Sequence, residues 1–97
     1  MLKNFRTHTL AVEFYKDCKK VNLPAYAKDQ LRRASFSIAL NLAEGAARNG
    51  LKDRLRFYNI SMASLREVQS IIRLEDLKHL EKQADILGAC LYKLVNQ

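Results

Sequence analysis

The sequence predicts an all-α protein, and more specifically an antiparallel up-down four-helix bundle. The chain of 97 residues contains only three glycines and one proline, and no alternating apolar and polar pattern of the kind typical of strands continues for more than a few residues. Four segments instead repeat apolar residues every three or four positions, and short connections separate them. A chain of this length predicts a single domain spanning residues 1–97.

The first two predicted helices run from about Thr9 to Lys20 and from about Ala25 to Ala47. Pro24 separates them, because a proline disfavours the helical conformation at the residue before it, here Leu23. The buried stripe of the first helix consists of Leu10, Ala11, Phe14, Cys18 and Val21.

The last two predicted helices run from about Leu51 to Leu74 and from about Asp76 to Val95. Asn49 and Gly50 form the turn before the third helix, and Asp53 follows in its first turn, where the helix dipole favours an acidic residue. The fourth helix has apolar residues in steps of three and four, a spacing typical of coiled coils. They are Leu77, Leu80, Ala84, Leu87, Leu91 and Leu94.

The second and third helices carry more apolar surface than one bundle of four short helices readily buries. One apolar face of the second helix consists of Leu31, Ala34, Ser35, Ile38 and Leu42, and a second face consists of Phe36, Leu40, Ala43 and Ala47. The third helix is apolar over roughly half of its circumference. This surface predicts a homo-oligomer. The alternative is that both helices form the central pair of a tight monomer.

A line of polar residues lies between the two apolar faces of the second helix: Arg33, Ser37, Asn41 and Glu44. Glu44 stands beside Gly45 near the predicted end of the helix, where the dipole disfavours a carboxylate, so it needs a cation. Arg48 is within reach locally, whereas Arg33, about 16 Å back along the axis, reaches Glu44 only from an adjacent subunit. We interpret this line, with Glu67 on the third helix, as a structural polar stripe that sets register. The alternative is that Glu44 and Glu67 form an acid–base pair.

All of the net charge falls in the first part of the chain. Residues 1–56 contain 12 Lys and Arg against 5 Asp and Glu, a net charge of +7, whereas residues 57–97 contain five of each. A basic surface attracts polyanions, nucleic acid above all, although solubility alone is the alternative explanation. The candidate nucleic-acid-binding residues are Lys16, Lys19, Lys20, Lys28, Arg32, Arg48, Lys52 and Arg56. Base-specific recognition is not expected, because Phe and Tyr are expected mostly on core faces.

Catalysis, metals and membranes have little support in the sequence. The chain has no E-x-x-H motif, no H-E-x-x-H motif and no glycine-rich phosphate loop. We therefore expect no enzyme activity, no metal and no cofactor. Cys18 and Cys90 are interpreted as reduced core cysteines, with a disulfide or a metal site as the alternative. No apolar run is long enough for a membrane span and the N-terminus has no signal-peptide pattern, so a cytoplasmic location is expected.

Several short motifs occur together in the second and third helices. They are Q-L-R-R-A at Gln30–Ala34, S-I-x-x-N-L-A-E-G at Ser37–Gly45, a basic turn with Arg48, an aromatic residue at Phe57, and S-L-x-E at Ser64–Glu67. This combination resembles the four-helix-bundle proteins encoded by intervening sequences in bacterial 23S ribosomal RNA genes. The same family includes the accessory variability determinant of diversity-generating retroelements.

The resemblance implies a ring-like homopentamer of four-helix subunits, and its retroelement member implies binding to nucleic acid and to a reverse transcriptase. The expected function is a non-catalytic, nucleic-acid-binding accessory protein that binds DNA or RNA with low sequence specificity. The alternative is a protein–protein interaction scaffold, for example for a reverse transcriptase or another acidic partner. Two positions depart from the family pattern: Ala39 stands where proline is frequent, and Gly50 where a serine or threonine cap is usual.

Overall fold

Four α-helices make up the chain, in a computed structural model that describes the backbone of residues 2–97 and the side chains of residues 6–97. The helices are α1 (Leu2–Lys19), α2 (Ala25–Ala46), α3 (Leu51–Leu74) and α4 (Glu81–Val95), and a short 3-10 turn (Lys78–Leu80) precedes α4. The described chain contains no strand, so the predicted all-α class with four helices is confirmed. Within the same residues, no helix is both long enough and apolar enough to cross a bilayer.

Two predicted helix boundaries are wrong. The first helix begins at Leu2 rather than at Thr9, because the segment before Thr9 contains neither glycine nor proline and continues the helix. The fourth helix begins at Glu81 rather than at Asp76. Asp76 adopts the left-handed conformation, with φ of 57°, and this conformation ends α3.

The turn after α3 has the 6→1 hydrogen bond of a Schellman motif. The Leu77 N–H donates to the Ile72 carbonyl at 2.9 Å, and the Leu77 side chain is buried. Asp76 occupies the position in this motif that is usually glycine, which aspartate tolerates better than most residues do. The chain therefore needs one further turn, Lys78–Leu80, before it resumes as α4.

The helices pack as neighbouring pairs around one core. Ser37 contacts Ser64 and Gly45 contacts Tyr58, so α2 and α3 run in opposite directions. Tyr15 of α1 packs against Phe36 of α2, and α4 packs against both α3 and α1. The predicted core face of α2 is buried, as are Ala11, Phe14, Cys18 and Val21 of the first stripe. All apolar positions predicted for the fourth helix are buried too, although Leu77 and Leu80 precede the observed α4.

Gly45 lies inside α2, at the closest approach between α2 and α3. A Cβ atom at this position would lie 2.6 Å from Cε1 of the Tyr58 ring and 3.2 Å from the carbonyl oxygen of Arg54. The Tyr58 side chain is fully buried against this gap. Gly45 is therefore a packing residue that lets the ring of Tyr58 reach the backbone of α2.

Cys18 and Cys90 are both free thiols. Cys18 is fully buried between α1 and α2. Burial raises the pKa of its thiol to about 12, and a hydrogen bond with Ser35 acts more weakly in the opposite direction. The Cys18 thiol is consequently un-ionised at neutral pH and functions as an apolar core residue.

The close contact at Gly45 leads to a stability prediction. We expect Gly45→Ala to lower the free energy of unfolding by about 1–3 kcal/mol, because the added methyl group must displace the Tyr58 ring. Urea denaturation followed by circular dichroism measures this change.

Gly88→Ala is the matched control, since Gly88 also lies inside a helix. An added Cβ there would meet Leu65 only at 3.4 Å, an ordinary contact distance. The higher helix propensity of alanine then dominates, so Gly88→Ala should be neutral or stabilising by up to about 1 kcal/mol. Equal effects of the two substitutions would contradict the packing role of Gly45.

Candidate nucleic-acid interface

The basic residues singled out in the sequence lie in two groups near opposite ends of α2. The α1–α2 group surrounds the first connection and consists of Lys16, Lys19, Lys20, Lys28 and Arg32. The α2–α3 group surrounds the second connection and consists of Arg48, Lys52 and Arg56. Arg32 and Arg48 are sixteen residues apart, which corresponds to roughly 24 Å along a helix axis. One subunit therefore presents two separate basic surfaces.

The α2–α3 group is organised around the ring of Phe57. The guanidinium carbons of Arg48 and Arg56 lie 4.7 Å and 4.3 Å from the ring centroid. The same two arginines bind Asp53, with N–O distances of 3.8 Å and 3.0 Å, and Arg48 also binds Glu44 at 3.1 Å. Aromatic stacking and ion pairs together fix both guanidinium groups at the surface.

Arg54 closes the turn between α2 and α3. Its Nη1 donates to the carbonyl oxygens of Arg48 and Asn49, at 3.4 Å and 3.0 Å. These carbonyls follow the end of α2, where the helix dipole favours a cation. Arg54 thus serves the turn itself, while the neighbouring Lys52 is exposed to solvent.

The α1–α2 group is more open. Lys16, Lys19, Lys20 and Arg32 are exposed, and Lys28 is half-buried. Lys20 lies 3.5 Å from Asp17, in an exposed pair that contributes little to stability. The ammonium group of Lys19 lies 5.0 Å from the centroid of the Tyr15 ring.

The middle of the polar stripe joins α2 to α3 by hydrogen bonds. The hydroxyl groups of Ser37 and Ser64 are 2.8 Å apart, and Nδ2 of Asn41 donates to both the carbonyl and the hydroxyl oxygen of Ser37. Ser61, which is fully buried, donates to the Ile38 carbonyl at 2.8 Å. These bonds satisfy polar groups that would otherwise oppose close packing of the two helices.

The charged members of the stripe lie at the surface of the single chain. Arg33, Glu44 and Glu67 are all exposed, and Glu44 binds Arg48 one turn further along the chain. Glu44 neighbours Gly45, which contacts Tyr58, and Glu67 lies nine residues beyond Tyr58 on α3. Nine residues correspond to about 14 Å along a helix. A pair this far apart does not reach one substrate bond as acid and base.

Exposed aromatic side chains are a feature that the sequence analysis missed. Tyr26 is 72% exposed, Phe36 is 51% exposed and Tyr92 is 62% exposed, whereas the other described Phe and Tyr side chains are buried or half-buried. The sequence contained part of the evidence for an exposed aromatic residue, because Phe36 belongs to the second apolar face of α2. Helical periodicity showed that face without showing that it stays uncovered in the chain.

Among the described residues, no group of three or more His, Cys, Asp or Glu side chains is arranged to hold a metal ion. The chemistry that these side chains offer is that of exposed cations beside aromatic rings. Such an arrangement binds anionic groups, phosphates among them, and stacks with planar groups.

The profile of the family described as 23S rRNA-intervening sequence protein matches residues 5–93. This match includes the described turns and nearly all of the four helices. No curated protein matches the chain.

The polar stripe leads to a prediction about assembly. Because Arg33 and Glu44 are exposed in the single chain, alanine at either position should change the stability of an isolated subunit by at most about 0.5 kcal/mol. If a neighbouring subunit covers the stripe, each substitution should lower the stability of the assembled protein by a few kcal/mol. We expect this larger effect in melting curves recorded at high protein concentration.

Ser61→Ala is the control for this experiment. Its hydrogen bond to Ile38 lies within one chain, so its loss should lower stability by about 1 kcal/mol at every protein concentration. Small effects of the Arg33 and Glu44 variants at every concentration would show that the stripe faces solvent only.

Proposed function

The chain belongs to the 23S rRNA-intervening sequence protein family, and from this premise we propose that it is a non-catalytic accessory protein that binds DNA or RNA with low sequence specificity. The observation that carries the proposal is the charge distribution. The net charge of +7 lies entirely in residues 1–56, and exposed lysines and arginines at both connections of α2 carry much of it.

The physical basis of this binding is the phosphate backbone. Each lysine or arginine that neutralises a phosphate releases a condensed counterion, so affinity depends on salt concentration and not on base sequence. Arg48 and Arg56 present guanidinium groups held against Phe57, and Lys52 lies exposed near them. Planar guanidinium groups match the geometry of phosphate oxygens particularly well.

We further propose that the subunit is an up-down bundle and that subunits assemble into a ring, as a homopentamer. Leu40 is 50% exposed and Ile60 is 40% exposed. The Ser37–Ser64 and Gly45–Tyr58 contacts put these two residues at similar heights on the outer side of α2 and α3. Exposed apolar chains of this kind on neighbouring helices support a contact between subunits. A ring repeats both basic groups, so weak phosphate contacts add through multivalency.

A protein–protein interaction scaffold is the second candidate function, for example for a reverse transcriptase or another acidic protein. Leu74 is 78% exposed, and Ile86 and Tyr92 on α4 are 48% and 62% exposed. Exposed apolar side chains of this kind support a contact with another protein.

The first prediction from this proposal concerns mass. We expect light scattering at micromolar concentration to give about five times the 11.2 kDa of one chain. Leu40→Asp combined with Ile60→Asp should reduce the mass to that of a monomer, because it places charges in the apolar contact. Leu74→Asp, at an exposed apolar residue outside this contact, should leave the mass unchanged. A wild-type mass of one chain would contradict the assembly.

The second prediction concerns salt dependence. The logarithm of the affinity for duplex DNA should fall linearly with the logarithm of salt concentration, with a slope near −0.9 for each neutralised phosphate. Lys52→Gln combined with Arg56→Gln should weaken binding equally on scrambled sequences and flatten the slope by roughly two units. Fluorescence anisotropy with a labelled duplex measures both quantities.

The control for this experiment changes the net charge by the same amount elsewhere. Lys82 and Lys93 are exposed lysines in the electroneutral part of the chain, so replacing both with Gln should leave the slope nearly unchanged. If the wild-type protein shows no binding at ~50 mM salt, the nucleic-acid proposal fails and the scaffold function is favoured.

A further inference from the structure

We propose that Phe36 and Tyr15 form a stacking platform for unpaired bases, so that the α1–α2 surface prefers single-stranded nucleic acid over duplex. This inference rests on the proposed function and adds to it the form of nucleic acid that the surface selects. Its starting point is a large aromatic side chain exposed to solvent beside a basic group.

The aromatic pair consists of an exposed ring, Phe36, that packs against a half-buried ring, Tyr15. The rings of Tyr15 and Phe36 have centroids 5.6 Å apart and an interplanar angle of 62°, an edge-to-face arrangement. Tyr15 is half-buried between the two helices, while Phe36 is 51% exposed. Tyr15 therefore holds the Phe36 ring in place while leaving much of it accessible to a planar ligand.

Cations surround this pair on the side of the α1–α2 group. Lys19 lies over the Tyr15 ring at 5.0 Å. Arg32 precedes Phe36 by one helical turn and is exposed, so it lies next to Phe36 on the surface of α2. Asp29 is a further turn away, where it offsets part of this charge. A strand whose base stacks on Phe36 therefore places its phosphates near two cationic side chains, Lys19 and Arg32.

These features select unpaired bases for a physical reason. Bases in a duplex already stack on one another, so an aromatic side chain can stack on a base there only if the stacking between the bases is broken. Bases in a single strand are free to stack on an aromatic side chain, and each such contact strengthens binding with little dependence on base identity. The Phe36 ring packs against Tyr15 of α1, where the neighbouring charges favour a polyanion, whereas the proposed subunit contact uses Leu40, one turn further along α2.

The main test replaces Phe36 with leucine, which keeps an apolar side chain and removes the aromatic ring. We expect Phe36→Leu to weaken binding to an oligothymidylate or oligouridylate of about 16 nucleotides by about fivefold or more, and to leave duplex binding unchanged. Tyr92→Leu is the matched control, because Tyr92 is 62% exposed but lies on α4. It should change neither affinity. Circular dichroism melting of both variants verifies that they fold.

A second variant reports stacking directly. The chain contains no tryptophan, so Phe36→Trp introduces a single indole that can be excited selectively. Its emission should be quenched by the oligothymidylate and not by an abasic oligonucleotide of equal length, which carries the phosphates without the bases. A Tyr92→Trp protein should show no quenching with either ligand.

Several results would overturn the platform. If Phe36→Leu lowers the affinity for single strands and for duplex equally, Phe36 acts through the fold. If it lowers neither affinity, the Phe36 ring does not contact nucleic acid, and the proposed function is unaffected. A change in molecular mass of Phe36→Leu with unchanged binding would assign this face to a protein contact instead. If the wild-type protein binds neither form of nucleic acid, the proposed function fails together with this inference.

Discussion

The contact of the Tyr58 ring with Gly45 is the constraint on which much of the molecule depends. It sets the closest approach of α2 and α3, and the Ser37–Ser64 and Ser61–Ile38 hydrogen bonds join the same two helices. The same contact brings the carbonyl of Arg54 against α2, next to the turn that carries Arg48. Gly45 therefore sets how closely α3, which carries Lys52 and Arg56, approaches α2.

Most of the fold could be predicted from local signals in the sequence. Pro24 and Gly50 stand immediately before α2 and α3, so the bounds of these helices were predicted within a residue. The start of α1 had no such signal. The turn at Asp76 was not predicted, because aspartate adopts the left-handed conformation only in a suitable context. A glycine at this position would have indicated a turn. Gly45 was noted only as the neighbour of Glu44 near the predicted end of the helix. Its packing role depends on Tyr58, a partner thirteen residues away that helical periodicity does not reveal.

The candidate site was less predictable, because it depends on how side chains from different helices meet. Charge counts identified the basic residues, yet only the structure shows that Arg48 and Arg56 share Asp53 and lie over the same ring, Phe57. Periodicity identified two apolar faces on α2. Which of them is covered depends on the positions of α1 and α3, and the exposure of Phe36 and Leu40 follows from those positions.

The stacking of Arg48 and Arg56 on Phe57 has a consequence for the entropy of binding at the α2–α3 turn. A flexible side chain such as Lys52 gives up rotamer freedom, up to about 2 kcal/mol, when it is held against an anion. The two arginines have already lost much of that freedom in the free protein, since the ring and Asp53 hold their guanidinium groups. They therefore lose less side-chain entropy when they bind an anion than Lys52 does, because part of that entropy is already lost when the turn folds.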